Sequence, residues 1–134
     1  MTFFKLNGQK ARKSIVRYKI DWDGASRSKF QKSVKDALRE IWGGHVVYEE
    51  FPIVGTKMTL DFVNLTRKIA IEAQGGQHTK ANKFFHRNVL DFIDQVERDD
   101  DKLNWCNLNS IRLVEIHYKD WPISTKELQE KFKL

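Results

Sequence analysis

The chain of 134 residues carries 24 Lys and Arg against 18 Asp and Glu, which gives a formal net charge of +6. This length predicts a single domain, residues 1–134, that is large enough to bury a core. The single cysteine, Cys106, excludes an intramolecular disulfide and a metal cage of several thiolates. No apolar run approaches the ~18 residues that a membrane span needs, so no membrane partner is expected.

The excess of positive charge favours a polyanionic partner such as nucleic acid. It is concentrated in a basic N-terminal segment, residues 1–27, where the basic side chains precede the first carboxylate, Asp21: Lys5, Lys10, Arg12, Lys13, Arg17 and Lys19. This pattern is typical of an arm or an edge strand that contacts phosphates, and a solvated tail is the alternative. Residues 17–22 are expected to form a short extended edge that ends at a turn.

The first predicted helix begins at a capping box. Ser28 and Gln31 have the capping-box spacing, and apolar residues then recur at helical spacing until two glycines end the helix: Phe30, Val34, Leu38, Ile41 and Trp42. We therefore expect an amphipathic helix that faces the core. Gln31 is expected to close the cap, and Glu40 is expected to be solvated.

Three predicted strands follow the first helix. The first covers residues 46–52 and ends at Pro52, and the next two contain residues 59–63 and 69–74. Near the end of the first strand, Glu49 or Glu50 could face the same pocket as Asp61.

The second half of the chain alternates helix, strand and helix. A long helix is predicted from an apolar stripe made of Phe85, Val89, Phe92, Ile93, Val96 and Leu103. Residues 111–116 have the pattern of a buried strand, and a capping box at Ser124 opens a short C-terminal helix. A hairpin-rich start followed by a strand–helix–strand crossover predicts an α/β fold, a mixed β-sheet core flanked by helices.

Two acids stand in otherwise apolar strands. If the second and third strands pair as an antiparallel hairpin, the register that sets Phe62 opposite Ile71 also sets Asp61 opposite Glu72. A slip of one residue would bury Asp61 or expose the apolar pair, so the alternation favours this register. One face of the hairpin is then apolar and the other carries carboxylates, with Cβ atoms about 4.5 to 5.5 Å apart. Carboxylates at that distance could share one hard cation, and Gln74 projects to the same side.

These residues resemble the PD-(D/E)XK nuclease superfamily, in which an acid on one strand and an acid-x-Lys on the next bind Mg²⁺. Asp61 matches the first acid and Glu72 the second, while Gln74 stands where the family most often has lysine. The run from Glu72 to His78, the later Arg98-Asp99-x-x-Lys102 and the strand at 111–116 resemble the smaller Vsr-like subgroup. That subgroup includes very short patch repair endonucleases and some phage homing endonucleases.

The resemblance implies a restriction-endonuclease-like fold and a Mg²⁺-dependent DNA endonuclease of the homing or repair type, with Mn²⁺ able to substitute. Asp61, Glu72 and the backbone carbonyl of Ala73 would hold the ion. Gln74 would orient the attacking water or a phosphate oxygen, because a neutral amide cannot act as a base; otherwise it caps the strand. His78, in the loop that follows, would assist proton transfer.

The DNA backbone would be gripped by basic residues of the N-terminal segment and of the region after the third strand. The expected set is Lys10, Arg12, Lys13, Lys80, Lys83, Arg87, Arg98 and Lys102. For Arg98 and Lys102, one helical turn apart, ordinary ion pairs within the helix are the alternative. A homodimer or an additional DNA-recognition partner is the expected source of sequence specificity, since a chain this short offers little surface for base contacts.

Three other functions compete with this prediction. The first is a Holliday-junction resolvase, which would act as a dimer, and the second is a nucleic-acid-binding module that keeps the nuclease fold with a degenerate site. The third is a nucleotide- or structure-binding protein of a host or phage complex without DNA contact. The expected location is the cytoplasm of a bacterial or phage-infected host cell.

Overall fold

The computed structural model describes residues 1–74 and 89–134. The elements within these ranges are β1 (Thr2–Phe4), β2 (Lys10–Arg12), α1 (Lys29–Trp42), β3 (Val47–Pro52), β4 (Thr59–Asn64), β5 (Ile69–Gln74), α2 (Val89–Leu108), β6 (Arg112–His117) and α3 (Thr125–Phe132). The predicted order of helix, three strands, helix, strand and helix is confirmed, and a hairpin precedes it. Among the described residues, no helix combines the length and the apolar character that a membrane crossing requires.

Four strands form one mixed sheet in the order β3-β4-β5-β6. β4 pairs antiparallel with both β3 and β5, and β6 pairs parallel to β5. A parallel neighbour requires a crossover connection, and α2 lies in the chain between β5 and β6. The predicted mixed sheet flanked by helices is therefore confirmed.

Helices α1 and α3 cover one face of the sheet. The α1 side chains Val34, Leu38 and Trp42 are fully buried and belong to one apolar cluster with Phe62 of β4 and Ile71 of β5. The predicted capping box begins this helix, with the Ser28 hydroxyl oxygen accepting from the Gln31 backbone N–H at 3.0 Å. The cap at Ser124 likewise begins α3. Local capping and helical periodicity thus suffice to predict this layer.

The second face of the sheet is also covered, by the β1–β2 hairpin and α2. Val63 and Ala70 on this face are fully buried and share a cluster with Trp105 of α2 and Phe3 of β1. The expectation that this face of the β4–β5 hairpin is a carboxylate face is therefore wrong along most of its length. It is wrong because a second apolar layer packs on this face. Asp61 and Glu72 lie beyond that layer, next to the last pair of the β4–β5 ladder.

The apolar stripe predicted for α2 does not form its buried face. Among the described residues of the helix, the buried side chains are Trp105 and Cys106, whereas the stripe residues Val89, Phe92, Ile93, Val96 and Leu103 are each 43% exposed or more. Among its described residues, only the C-terminal part of α2 packs on the sheet. The helical spacing of apolar residues near its start therefore does not identify residues of this core. Phe85 lies outside the described residues.

The basic N-terminal segment is folded onto the sheet, and its hairpin was not predicted. Gly8, with φ +85°, makes the turn between β1 and β2, and Asn7-Gly8 is a recognised turn pair for hairpins. Phe3 is 3% exposed and meets the Phe51 ring edge-on at 5.5 Å. The expected extended edge at residues 17–22 is largely wrong, because Val16–Tyr18 is a 3₁₀ turn and contact with β3 is limited to a bridge at Lys19 and a hydrogen bond from the Ile20 N–H.

Candidate functional site

Asp61 and Glu72 lie side by side where β4 and β5 separate. The predicted register of Phe62 opposite Ile71 is confirmed, and this pair is the last of the β4–β5 ladder at this end. Beyond it, the Asp61 backbone N–H donates to Glu72 Oε2 at 2.9 Å, and the Ala73 backbone N–H donates to Asp61 Oδ2 at 2.7 Å. Each carboxylate therefore takes the place of a ladder carbonyl, which fixes both acids in the gap.

Both acids are buried, and each uses its other oxygen to contact a cation. Asp61 is 4% exposed and Glu72 is 5% exposed. Arg27 Nη2 lies 3.0 Å from Asp61 Oδ1, and Lys102 Nζ of α2 forms an ion pair with Glu72 Oε1. Two buried carboxylates and two basic side chains thus form one cluster, which we call the acid cluster: Arg27, Asp61, Glu72 and Lys102.

The environment of Asp61 favours its protonated form. Burial, and then the negative charge of Glu72, raises the pKa of Asp61 from 3.8 to about 7, while the hydrogen bond from Ala73 and the charge of Arg27 oppose this rise. Desolvation and a like charge both disfavour a second carboxylate anion. A bound cation would reverse this preference, and its binding would release the proton.

Glu50 approaches the same cluster from β3. Its neighbours pair with Phe62 and Leu60, so Glu50 lies across from Asp61 in the β3–β4 ladder. Its φ of +50° is in the left-handed region, which is strained for a residue other than glycine. Glu50 Oε2 lies 3.7 Å from Arg27 Nη1. Of the two acids considered for the pocket of Asp61, Glu50 is the one that reaches Arg27.

A second polar network adjoins the acid cluster under α1. Lys35 is 1% exposed, and its Nζ lies 2.8 Å from Glu49 Oε1 and 3.1 Å from the Gly24 carbonyl oxygen. The Gln31 side-chain nitrogen donates to Glu49 Oε2 at 3.0 Å and to Glu50 Oε1 at 2.9 Å. The expectation that Gln31 only closes the cap is wrong, because its side chain instead links two acids of β3. Glu40 is exposed, as predicted.

The remaining predicted catalytic residues lie at or beyond the end of β5. Gln74 is the last residue of β5 and pairs with His117 of β6, and Ala73 pairs with Ile116. Both Ala73 and Gln74 are partly buried. His78 falls outside the described residues.

The predicted DNA-contacting residues divide into three groups. Lys10 and Arg12 are exposed on the N-terminal hairpin, and Lys13 beside them is partly buried. On α2, Arg98 is exposed and donates to Gln95 Oε1 at 3.0 Å, whereas Lys102 is in the acid cluster. The others are outside the described residues, namely Lys80, Lys83 and Arg87. The sequence does not predict the ion pair between Lys102 of α2 and Glu72 of β5.

Arg27 and Lys35 are the residues of this region that the sequence did not single out. Arg27 directly precedes the helix cap and has no local pattern that distinguishes it from other basic residues of the N-terminal segment. Lys35 was detectable, since Gln31, Lys35, Leu38 and Trp42 fall at the spacing of one helical face. A lysine on a core-facing stripe indicates a buried partner.

Within the acid cluster, Asp61 and Glu72 carry the carboxylate oxygens that a hard divalent cation takes as ligands. Among residues 1–74 and 89–134, no group of three or more His, Cys, Asp or Glu side chains is arranged to hold a metal ion. Mg²⁺, however, keeps several waters and is commonly bound through one or two carboxylates. The outward oxygens of Asp61 and Glu72 already contact cationic groups, so this position attracts positive charge. The two carboxylates are therefore oxygen ligands of the kind that Mg²⁺ takes.

The chain is similar to part of two viral proteins. Over 67 residues, half of the chain, it is 37% identical to "Uncharacterized protein 033L" of Invertebrate iridescent virus 3. Over 67 residues, 48% of the chain, it is 36% identical to "Uncharacterized protein 307L" of Invertebrate iridescent virus 6. The chain covers 34% of each viral protein, about a third of the length of these curated relatives. No family model matches the chain, and no solved structure matches it.

Proposed function

We propose that this protein is a Mg²⁺-dependent DNA endonuclease with a restriction-endonuclease-like fold. The observation that carries the proposal is the pair of buried carboxylates, Asp61 and Glu72, held by reciprocal backbone hydrogen bonds at the open end of two strands. Two desolvated acids that repel each other cost stability, and such a cost is commonly tolerated where function requires it. The net charge of +6 supports a polyanionic substrate.

The residues of the acid cluster have distinct roles in this proposal. Asp61, Glu72 and the carbonyl of Ala73 would hold the ion. When bound, the ion lowers the pKa of a coordinated water and offsets charge on the scissile phosphate. The backbone hydrogen bonds from Asp61 and Ala73 keep the carboxylates from turning away, so the site is preorganised. His78 is the proposed helper for proton transfer.

Lys102 supplies the positive charge that Gln74 lacks. Its ammonium contacts Glu72 from α2, so a cation lies beside the second acid although it comes from a different element than in the acid-x-Lys pattern. A fixed cation next to the reacting phosphate stabilises the charge that develops there. Lys102 therefore belongs to the proposed reaction centre rather than to the outer grip on the DNA backbone.

Replacing Lys102 is expected to reduce turnover more than DNA affinity. Lys102→Met should lower kcat by roughly 100- to 1,000-fold, the range seen when one preorganised transition-state donor is removed. Arg98→Met, one turn away and exposed, is the matched control and should mainly weaken DNA binding. Adding Gln74→Lys to Lys102→Met should restore part of kcat, and equal losses of kcat in the Lys102 and Arg98 variants would contradict this role.

The proposed activity is tested by a cleavage panel. Wild-type protein is incubated with supercoiled, mismatched and four-way-junction DNA in Mg²⁺, Mn²⁺ or chelator. Nicking or cleavage is expected only with a divalent cation, and Glu72→Gln should abolish it. Glu40→Gln, an exposed acid on α1, is the control and should cleave as wild type does. Cleavage confined to junctions would indicate a resolvase, and no cleavage of any substrate would contradict the proposal.

A DNA-binding module with a degenerate site is the second candidate. The observation that favours it is that each acid is already paired with a basic side chain, Asp61 with Arg27 and Glu72 with Lys102. A cluster that is neutralised by the protein itself needs no metal ion. DNA binding of equal strength in Mg²⁺ and in chelator, without cleavage of any substrate in the panel, would support this function.

A further inference from the structure

Arg27 occupies the place where a cation would meet Asp61. Its Nη2 atom contacts Asp61 Oδ1 at 3.0 Å, and its Nη1 atom lies 3.7 Å from Glu50 Oε2. The other Asp61 oxygen is taken by the Ala73 backbone N–H. A cation that approaches this outward oxygen of Asp61 therefore competes with the guanidinium for it.

The charges of the cluster indicate which basic side chain leaves. Arg27 contacts two acids, Asp61 and Glu50, and Lys102 contacts a third, Glu72. Together with a bound divalent cation, the two basic side chains outweigh even three ionised acids, so a basic group is repelled. The Arg27 side chain is 66% exposed and that of Lys102 is 22% exposed. Arg27 can move into water at the smaller cost.

A displaced Arg27 stays beside the site because its backbone immediately precedes α1. Its guanidinium then presents five donors in a planar fork, a shape that matches phosphate oxygens. A DNA phosphate next to the scissile bond would offer the displaced guanidinium such oxygens.

We infer that Arg27 is a switch residue: it covers Asp61 in the metal-free protein and moves to a DNA phosphate when a divalent cation binds. This inference rests on the proposed metal-dependent function and adds a regulation of the same site. In this mechanism, bound cation increases the affinity for DNA, and bound DNA increases the affinity for the cation by the same factor, because coupling between two ligands is reciprocal. Arg27 thus acts as a DNA-binding residue whose contact depends on the ion.

The test compares wild type with Arg27→Gln, using Ca²⁺ as the ion and a DNA duplex as the ligand. Without DNA, calorimetry should show that Ca²⁺ binds Arg27→Gln severalfold more tightly, because the competitor for Asp61 is gone. The dependence of DNA affinity on salt should be the same for both proteins in chelator. In Ca²⁺, the logarithm of the DNA association constant should fall less steeply with the logarithm of salt concentration for Arg27→Gln. The slope should be smaller in magnitude by about 0.9, the value for one lost phosphate contact.

Arg39→Gln is the matched control, because Arg39 is an exposed arginine of α1 that pairs with Asp23 at 2.6 Å. It should show neither the gain in Ca²⁺ affinity nor the ion-dependent slope. If wild type binds Ca²⁺ but the slope difference for Arg27→Gln is absent, or is equal in chelator and in Ca²⁺, the switch is overturned while the proposed nuclease stands. If wild type binds no ion, the proposed metal-dependent function itself fails.

Discussion

Asp61→Asn is expected to lose metal-dependent cleavage and, at pH 8, to be more stable than wild type. The lost cleavage, at least about 100-fold, follows from removing a charged ligand of the proposed ion. The stability gain follows from burial and from the charge of Glu72, which raise the pKa of Asp61 to about 7. The asparagine oxygen can still accept the hydrogen bond from the Ala73 N–H, so the strand end keeps its geometry.

The sign of the pH effect follows from proton linkage. Between about pH 4 and pH 7 the folded protein holds a proton on Asp61 that the unfolded chain has released, so wild-type stability falls as pH rises through this window. The pKa difference corresponds to a decrease of roughly 1 to 4 kcal/mol in the free energy of unfolding. Above pH 7 this decrease is complete. Asp61→Asn removes this contribution and should be less dependent on pH.

Urea unfolding of both proteins at pH 5 and pH 8 measures the difference. The gap between them should widen in favour of Asp61→Asn as pH rises. Asp36→Asn is the control, since Asp36 is an exposed acid of α1 paired with Lys32. Its difference in stability from wild type should be the same at pH 5 and at pH 8. Parallel pH profiles for wild type and Asp61→Asn would show that this carboxyl does not titrate in the window.

Lys35→Met is expected to destabilise the protein more than any other single change to a polar residue of α1. Lys35 is 1% exposed and neutralises Glu49, whose side chain is 12% exposed. Removing one partner of a buried ion pair leaves an uncompensated charge, which costs about 3 to 5 kcal/mol. The change should appear as a fall in the urea midpoint with an unchanged slope.

Two comparisons make this second prediction specific. Lys32→Met alters a partly exposed lysine in the same helix, paired with Asp36 at 2.7 Å, and should cost no more than about 1 kcal/mol. Combining Lys35→Met with Glu49→Leu should recover much of the loss, because both charges are then absent. A double variant as unstable as Lys35→Met would point to lost packing rather than to the unpaired carboxylate.

Local patterns in the sequence determine most of the elements. The capping residue Ser28 and the helical spacing of Val34, Leu38 and Trp42 specify α1, and the alternation around Phe62 and Ile71 specifies the register of β4 and β5. These features depend on contacts between near neighbours or within one hairpin, and periodicity reports them directly. Asp61 and Glu72 could be placed side by side for the same reason.

Residues that act through long-range contacts could not be placed in this way. Arg27 and Asp61 are 34 positions apart, and Lys102 and Glu72 are 30 apart. No local pattern shows which basic residue will reach an acid, because that depends on how α1 and α2 pack on the sheet. Glu50 reaches the cluster only through its left-handed backbone, another feature that no alternation pattern predicts.

The sequence by itself therefore determined that two acids share one end of a β-hairpin, because strand register follows from the period of two in side-chain direction. Only the tertiary structure decided that this end is buried and that Arg27 and Lys102 neutralise it. It did so because a second apolar layer, with Phe3 and Trp105, covers the remaining length of that face. The acids were left in a desolvated corner where charge must be paired.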